Sequence, residues 1–122
     1  MKKVSENQIY SELLIRFIEP LLEREESEAS FLEKAKAGMI AWNYCVSEEN
    51  NLKGNAEMSS ILKGIYETYP DAKKTLDMLI ERKQMYFPMY SNFIFDVRIN
   101  IKPEGTKTLY VESAPADKLP KS

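Results

Sequence analysis

A chain of 122 residues fits one domain, and with 43% apolar residues it can bury a core without a metal or a disulfide to staple it. Its 17 lysines and arginines nearly balance 19 aspartates and glutamates with the signs interspersed, so a formal charge of −2 gives no electrostatic footprint for nucleic acid or an anionic membrane. With no histidine and one cysteine, histidine triads, most zinc sites and an internal disulfide are excluded.

Met1-Lys2-Lys3 is followed by Val4-Ser5-Glu6-Asn7 rather than an apolar run, and Glu12, Arg16 and Glu19 interrupt the next one, so a secretory signal is not expected. The cytoplasm is the default compartment. Ser5 and Gln8 form an S-x-x-Q capping box, with Val4 and Ile9 placed as a hydrophobic staple around the start of a first helix. Ile9, Leu13, Leu14, Phe17, Ile18 and Leu21 mark its apolar face, and Pro20 must kink or restart it. Glu23 to Glu28 reads as a charged, solvated link.

The central helix is expected from about Glu28 to about Val46. Within it Ala37 to Val46 is a run of 10 residues without a charge, apolar on more than one side, as a buried helix requires. Cys45 lies inside that run, where a reduced thiol in a packing role fits best. Ser47 to Gly54 has turn composition, and Asn55 is placed to cap the next helix. This third helix, about Asn55 to Thr68, carries Met58, Ile61, Leu62, Ile65, Tyr66 and Tyr69 on one stripe. Pro70 and Asp71 suit a new start, and a fourth helix to about Tyr86 buries Ala72, Leu76, Leu79, Ile80 and Phe87 before Pro88.

From Asn92 the period becomes two, with Phe93, Phe95, Val97, Ile99 and Ile101 on one face and Asn92, Asp96, Arg98 and Asn100 on the other. Lys102-Pro103-Glu104-Gly105 is a type I turn whose glycine can take the left-handed conformation of a bulge. With Lys102 opposite Thr106, Ile99 meets Leu109, Val97 meets Val111, Arg98 meets Tyr110 and Asn100 meets Thr108. The expected fold is therefore α+β: a small bundle of three to four helices with a C-terminal antiparallel β-hairpin, in a single domain over residues 1–112. Residues 113–122 bury little and are expected to form a mobile or extended tail.

Chemistry-bearing residues are few. The 4 glycines are scattered, so no phosphate-cradling loop exists, and Asp77 with Glu81 is an ordinary pair on a polar helix face; no metal or cofactor is expected. Lys83 falls in the apolar stripe of the fourth helix, where its stem would lie on apolar surface and its ammonium would reach solvent near the helix C-terminus. Asn43, inside the least polar stretch, must find backbone or side-chain partners. Two functional classes remain. The first is a small intracellular interaction or assembly module, with Met89, Tyr90 and Tyr110 on its surface and a protein partner or a second copy meeting the open hairpin edge. The second is a small-molecule-binding protein or enzyme with a pocket between the central helix and the hairpin, lined by Asn43, Lys83, Asp96 and Arg98.

Overall fold

The computed structural model describes residues 6–121. Four helices, α1 (Glu6–Ile18), α2 (Glu28–Glu49), α3 (Asn55–Thr68) and α4 (Pro70–Tyr86), precede strands β1 (Asn92–Ile101) and β2 (Lys107–Pro115), with short 3-10 turns at Glu19–Leu21 and Ala116–Lys118. The architecture is the expected α+β one, a helical bundle with a β-hairpin. Ser5 of the capping box and Val4 of the staple lie outside the described residues. Of the staple, Ile9 is described and is exposed, while its neighbour Tyr10 is buried.

Pro20 ends α1: the helix stops at Ile18 and the chain tightens into a 3-10 turn with the proline in its first positions. The charged link then turns back on itself. Glu26 accepts from the Glu23 backbone N–H (2.8 Å) and pairs with Lys34, and Ser27 caps α2 by accepting from the Ser30 N–H (3.1 Å). Lys34 is the first cause holding the Glu26 carboxyl down to about 2.

α2 is the spine. It buries Phe31, Ala35, Gly38, Ala41, Trp42, Cys45 and Val46, and α1, α3, α4 and β1 all pack on it. Gly38 is where α1 comes closest, because a Cβ there would collide with Ile18 Cγ2 and press on Leu14 Cδ1. Trp42, 1% exposed, meets Tyr10 and Phe17 edge-on at ring-centroid distances of 5.9 and 5.3 Å and Phe87 at 5.9 Å. α3 is a surface helix. It buries Leu62 alone, and Ile61 and Tyr69 of its expected stripe are exposed. Its N-cap is Gly54 with no side-chain cap; Asn55 instead accepts from the Ser47 hydroxyl (3.2 Å).

The hairpin has the register read from the turn: Val97 opposes Val111, Arg98 opposes Tyr110, Ile99 opposes Leu109 and Asn100 opposes Thr108. Lys102 donates to the Thr106 carbonyl (2.9 Å), Gly105 donates to the Lys102 carbonyl (2.8 Å), and Gly105 takes φ +90°, a left-handed value that favours glycine. The expected face is corrected at its start. Ile94 opposes Ser113 but Asp96 opposes Glu112, so Phe95 is the extra residue of a β-bulge. Before the bulge Asn92 and Ile94 are buried; after it Val97 is buried and Ile99 half-buried, while Phe95 is 55% exposed and stacks with half-buried Phe93.

The tail expected to be mobile or extended makes several contacts. β2 runs to Pro115, Ala116 is buried and donates to the Ser91 carbonyl (3.0 Å), the Pro120 carbonyl accepts from the Lys53 N–H (2.8 Å), and Lys121 forms an isolated bridge with Leu52. These contacts are backbone ones that a polar composition does not reveal.

Trp42→Ala should lower stability by about 3–5 kcal/mol, since it removes the largest fully buried side chain and opens a cavity against α1, α4 and β1. Chemical denaturation monitored by far-UV circular dichroism measures this, and an unchanged midpoint would place the core elsewhere.

Candidate functional site

A hairpin has two outer edges whose N–H and C=O groups lack a strand partner, and burying them unsatisfied is expensive. The ladder fixes which residues these are. Because Lys102 pairs with Thr106, the even residues of β1 after the bulge bond to β2, and Val97, Ile99 and Ile101 turn their backbone groups outward. Before the bulge the parity is reversed and Asn92 and Ile94 face outward. On β2 the outward residues are Lys107, Leu109, Val111 and Ser113.

Helix side chains close the proximal half of both edges. The Asn43 amide mimics a strand: its Nδ2 donates to the Ile94 carbonyl (2.7 Å) and its Oδ1 accepts from the Ile94 N–H (2.8 Å). Trp42 Nε1 donates to the Asn92 carbonyl (2.9 Å), and the Asn92 N–H donates to the Tyr10 hydroxyl (3.1 Å). Across the sheet the Ser11 hydroxyl accepts from the Val111 N–H (2.9 Å) while donating to the Asn7 carbonyl, and Asn7 Oδ1 accepts from the Ser113 N–H (2.9 Å). Asn7 and Ser11 sit one helical turn apart and serve β2 residues two apart, because a turn rises about 5.4 Å and two strand residues about 6.6 Å. Sequence reasoning singled out Asn43 and missed Asn7, Ser11, Tyr10 and Asn92. The signal was an amide and a hydroxyl at i and i+4 beside an apolar stripe.

The closure stops halfway to the turn. One turn after Ser11 stands Ile15, which cannot accept a hydrogen bond from the next outward residue, Leu109. On β1, among the described residues, no hydrogen bond from a helix or loop reaches the backbone of Val97, Ile99 or Ile101. Toward the turn the side chains become exposed as well: Val97 is buried and Ile99 half-buried, but Ile101 is 45% and Tyr110 44% exposed. Asp96 and Arg98 lie on the outer face and pair with each other at 2.7 Å.

Lys83 departs from its expected solvent-reaching pose. Its side chain is 0% exposed, its Nζ donates to the Phe87 carbonyl at the end of α4 (2.8 Å), lies 4.8 Å from the Trp42 ring centroid and 3.9 Å from Glu49 Oε2. The helix end supplies the acceptor, and the Trp42 ring covers the ammonium. Burial lowers the Lys83 pKa, with Glu49 opposing the shift. Burial likewise pushes the neighbouring Cys45 thiol up to about 12, so it stays protonated and unreactive at neutral pH.

Asn43, Lys83, Asp96 and Arg98 are thus not brought together. Among the described residues three open grooves stand out, and none of these four residues lines any of the three. One of about 470 Å³ runs between α1 and β2 past Ser11, Ile15 and Tyr110; another of about 440 Å³ lies between Phe93, Phe95 and Leu119; the third, about 670 Å³, separates Leu21 and Ile40 of one wall from Ile65 and Leu76 of the other. Among the described residues every buried side-chain nitrogen and oxygen has a partner, and no group of three metal-ligating side chains occurs. Met89 is 80% exposed, as expected, whereas Tyr90 is half-buried against Tyr10, at 6.1 Å between ring centroids, and Phe87.

Asn43→Leu should destabilise by about 2–4 kcal/mol, because it strands a buried N–H and a buried C=O on Ile94. Equilibrium urea unfolding checks it; a loss below about 1 kcal/mol would mean that water replaces the amide. Lys83→Met should stabilise by about 1 kcal/mol or more at pH 7, since it leaves Glu49 in contact with solvent and the Phe87 carbonyl still bonded to the Tyr90 N–H. With the folded pKa lowered from 10.5, the unfolded chain binds the proton more tightly, so wild-type stability rises with pH through the window below 10.5 and the advantage of methionine shrinks there. Thermal unfolding of both proteins from pH 7 to 10.5 tests the sign. No protein-family model, curated protein or solved structure matches this chain.

Proposed function

We propose that this chain is a small intracellular protein-interaction or assembly module, and that it binds through the distal outer edge of β1. The observation that carries this reading is the asymmetry of the sheet edges: Asn43, Trp42 and Tyr10 close β1 as far as Ile94, and among the described residues no hydrogen bond from another element follows at Val97, Ile99 and Ile101. A strand added there gains main-chain hydrogen bonds, and side chains at alternate positions supply selectivity. The exposed Ile101 and Tyr110, and Met89 farther along the surface, are materials that interaction surfaces favour.

A pocket between α2 and the hairpin has less support, because the two groups that would have lined it from inside are spent on structure. Asn43 uses both ends of its amide on Ile94, and Lys83 is buried under the Trp42 ring with its ammonium on the Phe87 carbonyl. The single cysteine, buried and protonated, suits a reducing compartment, and no helix among the described residues is long and apolar enough to cross a membrane.

Ile99→Pro tests the reading. The Ile99 N–H points away from β2, so proline removes an edge donor without removing a ladder bond. Partners captured from the native cell by the wild-type protein should fall at least about tenfold with the variant, as quantitative mass spectrometry would read it, while Met85→Ala on the exposed end of α4 should leave them unchanged. Equal capture by the wild type and Ile99→Pro would remove the edge from the binding surface.

A further inference from the structure

The occupant of that edge can be read from its own sequence, in an argument that rests on the interaction-module reading above. We propose that it is a second copy of the same strand, paired antiparallel about a two-fold axis at Ile99, so that two hairpins form one four-stranded sheet.

Outward residues must meet outward residues, which restricts a β1–β1 pairing to a few registers. A two-fold at Val97 would, across the bulge, bring the partner's Ile99 opposite Ile94, whose backbone groups are already held by Asn43. Placing Val97 opposite the partner's Ile99 sets Arg98 against the partner's Arg98, and placing Ile99 opposite the partner's Ile101 sets Arg98 against the partner's Lys102. Like charges directly across a sheet are destabilising. A two-fold at Ile101 would bring the partner's Pro103, which has no N–H, opposite Ile99.

The register centred on Ile99 has none of these faults. It sets Ile99 against the partner's Ile99, Val97 against the partner's Ile101, Arg98 against the partner's Asn100, and Asp96 against the partner's Lys102. The last three relations occur twice by symmetry. Apolar side chains then continue the core face of the sheet, where Val97 is buried, Ile99 half-buried and Ile101 exposed in a single copy. Opposite charges meet on the outer face, where Lys102 is exposed and Asp96 already pairs with Arg98 of its own strand. Pairing also ends where each chain can end it: at Lys102, just before Pro103, and short of the Ile94 edge that Asn43 occupies. The β2 edge is a poorer site for a second strand, because Glu12 and Ile15 of α1 wall the groove beside Leu109.

Sedimentation equilibrium of the full chain at micromolar concentrations, with charge-reversed variants, tests both the dimer and its register. The wild type should show a concentration-dependent dimer. Asp96→Lys alone and Lys102→Asp alone should each raise the dimer dissociation constant about tenfold or more, and the double variant carrying both should recover most of the loss. Recovery is the diagnostic outcome, since an effect acting only through the Asp96–Arg98 pair would not be repaired by a change at Lys102. A dimer indifferent to either reversal would overturn the register, and a strictly monomeric wild type would overturn the pairing altogether. Amide exchange then separates the two readings: in a monomer, rapid exchange at Val97 and Ile99 leaves the edge open for a different protein, whereas strong protection there would remove the interaction-module reading as well.

Discussion

The whole architecture turns on the backbone polarity of a two-stranded sheet packed against helices. In a strand, side-chain direction and backbone direction alternate together, so on this hairpin the residues that bury their side chains are also those that turn their N–H and C=O groups to the outer edge. Ile94 and Val111 are buried, and the same two residues need edge partners. A purely apolar pair of helices could cover the face but would leave those groups orphaned. Here α1 and α2 do both: Leu14 and Phe17 of α1 and Val46 of α2 bury apolar surface, while Asn7, Ser11, Trp42 and Asn43 bring a polar atom to the edge. Each such bond contributes only about 1 kcal/mol net, but leaving its buried partner unmade costs about 1–3 kcal/mol, so these residues set where the hairpin can dock.

Lys83 poses the opposite problem, a charge where an apolar residue would fit. The ammonium is held by one carbonyl, an aromatic face and a distant carboxylate, and the last of these is more than a third exposed, so its attraction is screened by water. Desolvation is the leading influence on its titration, which identifies the site as tolerated rather than optimised. Its structural return is local. The Lys83–Phe87 bond satisfies a carbonyl at the C-terminal end of α4 and fixes the place where the chain leaves the helix toward β1.

What could be read from the sequence was whatever is decided locally. The turn Lys102-Pro103-Glu104-Gly105 sets the register by its own chemistry, so the pairing from Val97 to Lys102 was legible. Helix limits followed Pro20, Pro70 and Pro88 for the same reason. The edge caps were illegible as a site because Asn43 and Ile94 are partners 51 residues apart and neither announces the other. The burial of Lys83 was illegible because it depends on how Trp42, from another helix, meets the end of α4. The docked tail was illegible because its contacts run through backbone groups of Ala116 and Pro120, which every sequence possesses.

The bulge at Phe95 shows how these constraints are reconciled. An unbroken strand that kept Asn92 and Ile94 inward, facing Tyr10, Trp42 and Asn43, would carry Asp96, Arg98 and Asn100 inward as well and bury two charges. One that kept Val97 and Ile99 inward would put Phe93 and Phe95 in the core and swing the backbone of Asn92 and Ile94 away from the helices. Inserting one unpaired residue changes the sequence parity while preserving both the buried face and the outward edge. The cost is a phenylalanine left 55% exposed, stacked on Phe93. The bulge is also where the helix-supplied partners end, so the device that lets the hairpin fit its own core separates the closed part of the β1 edge from the open part.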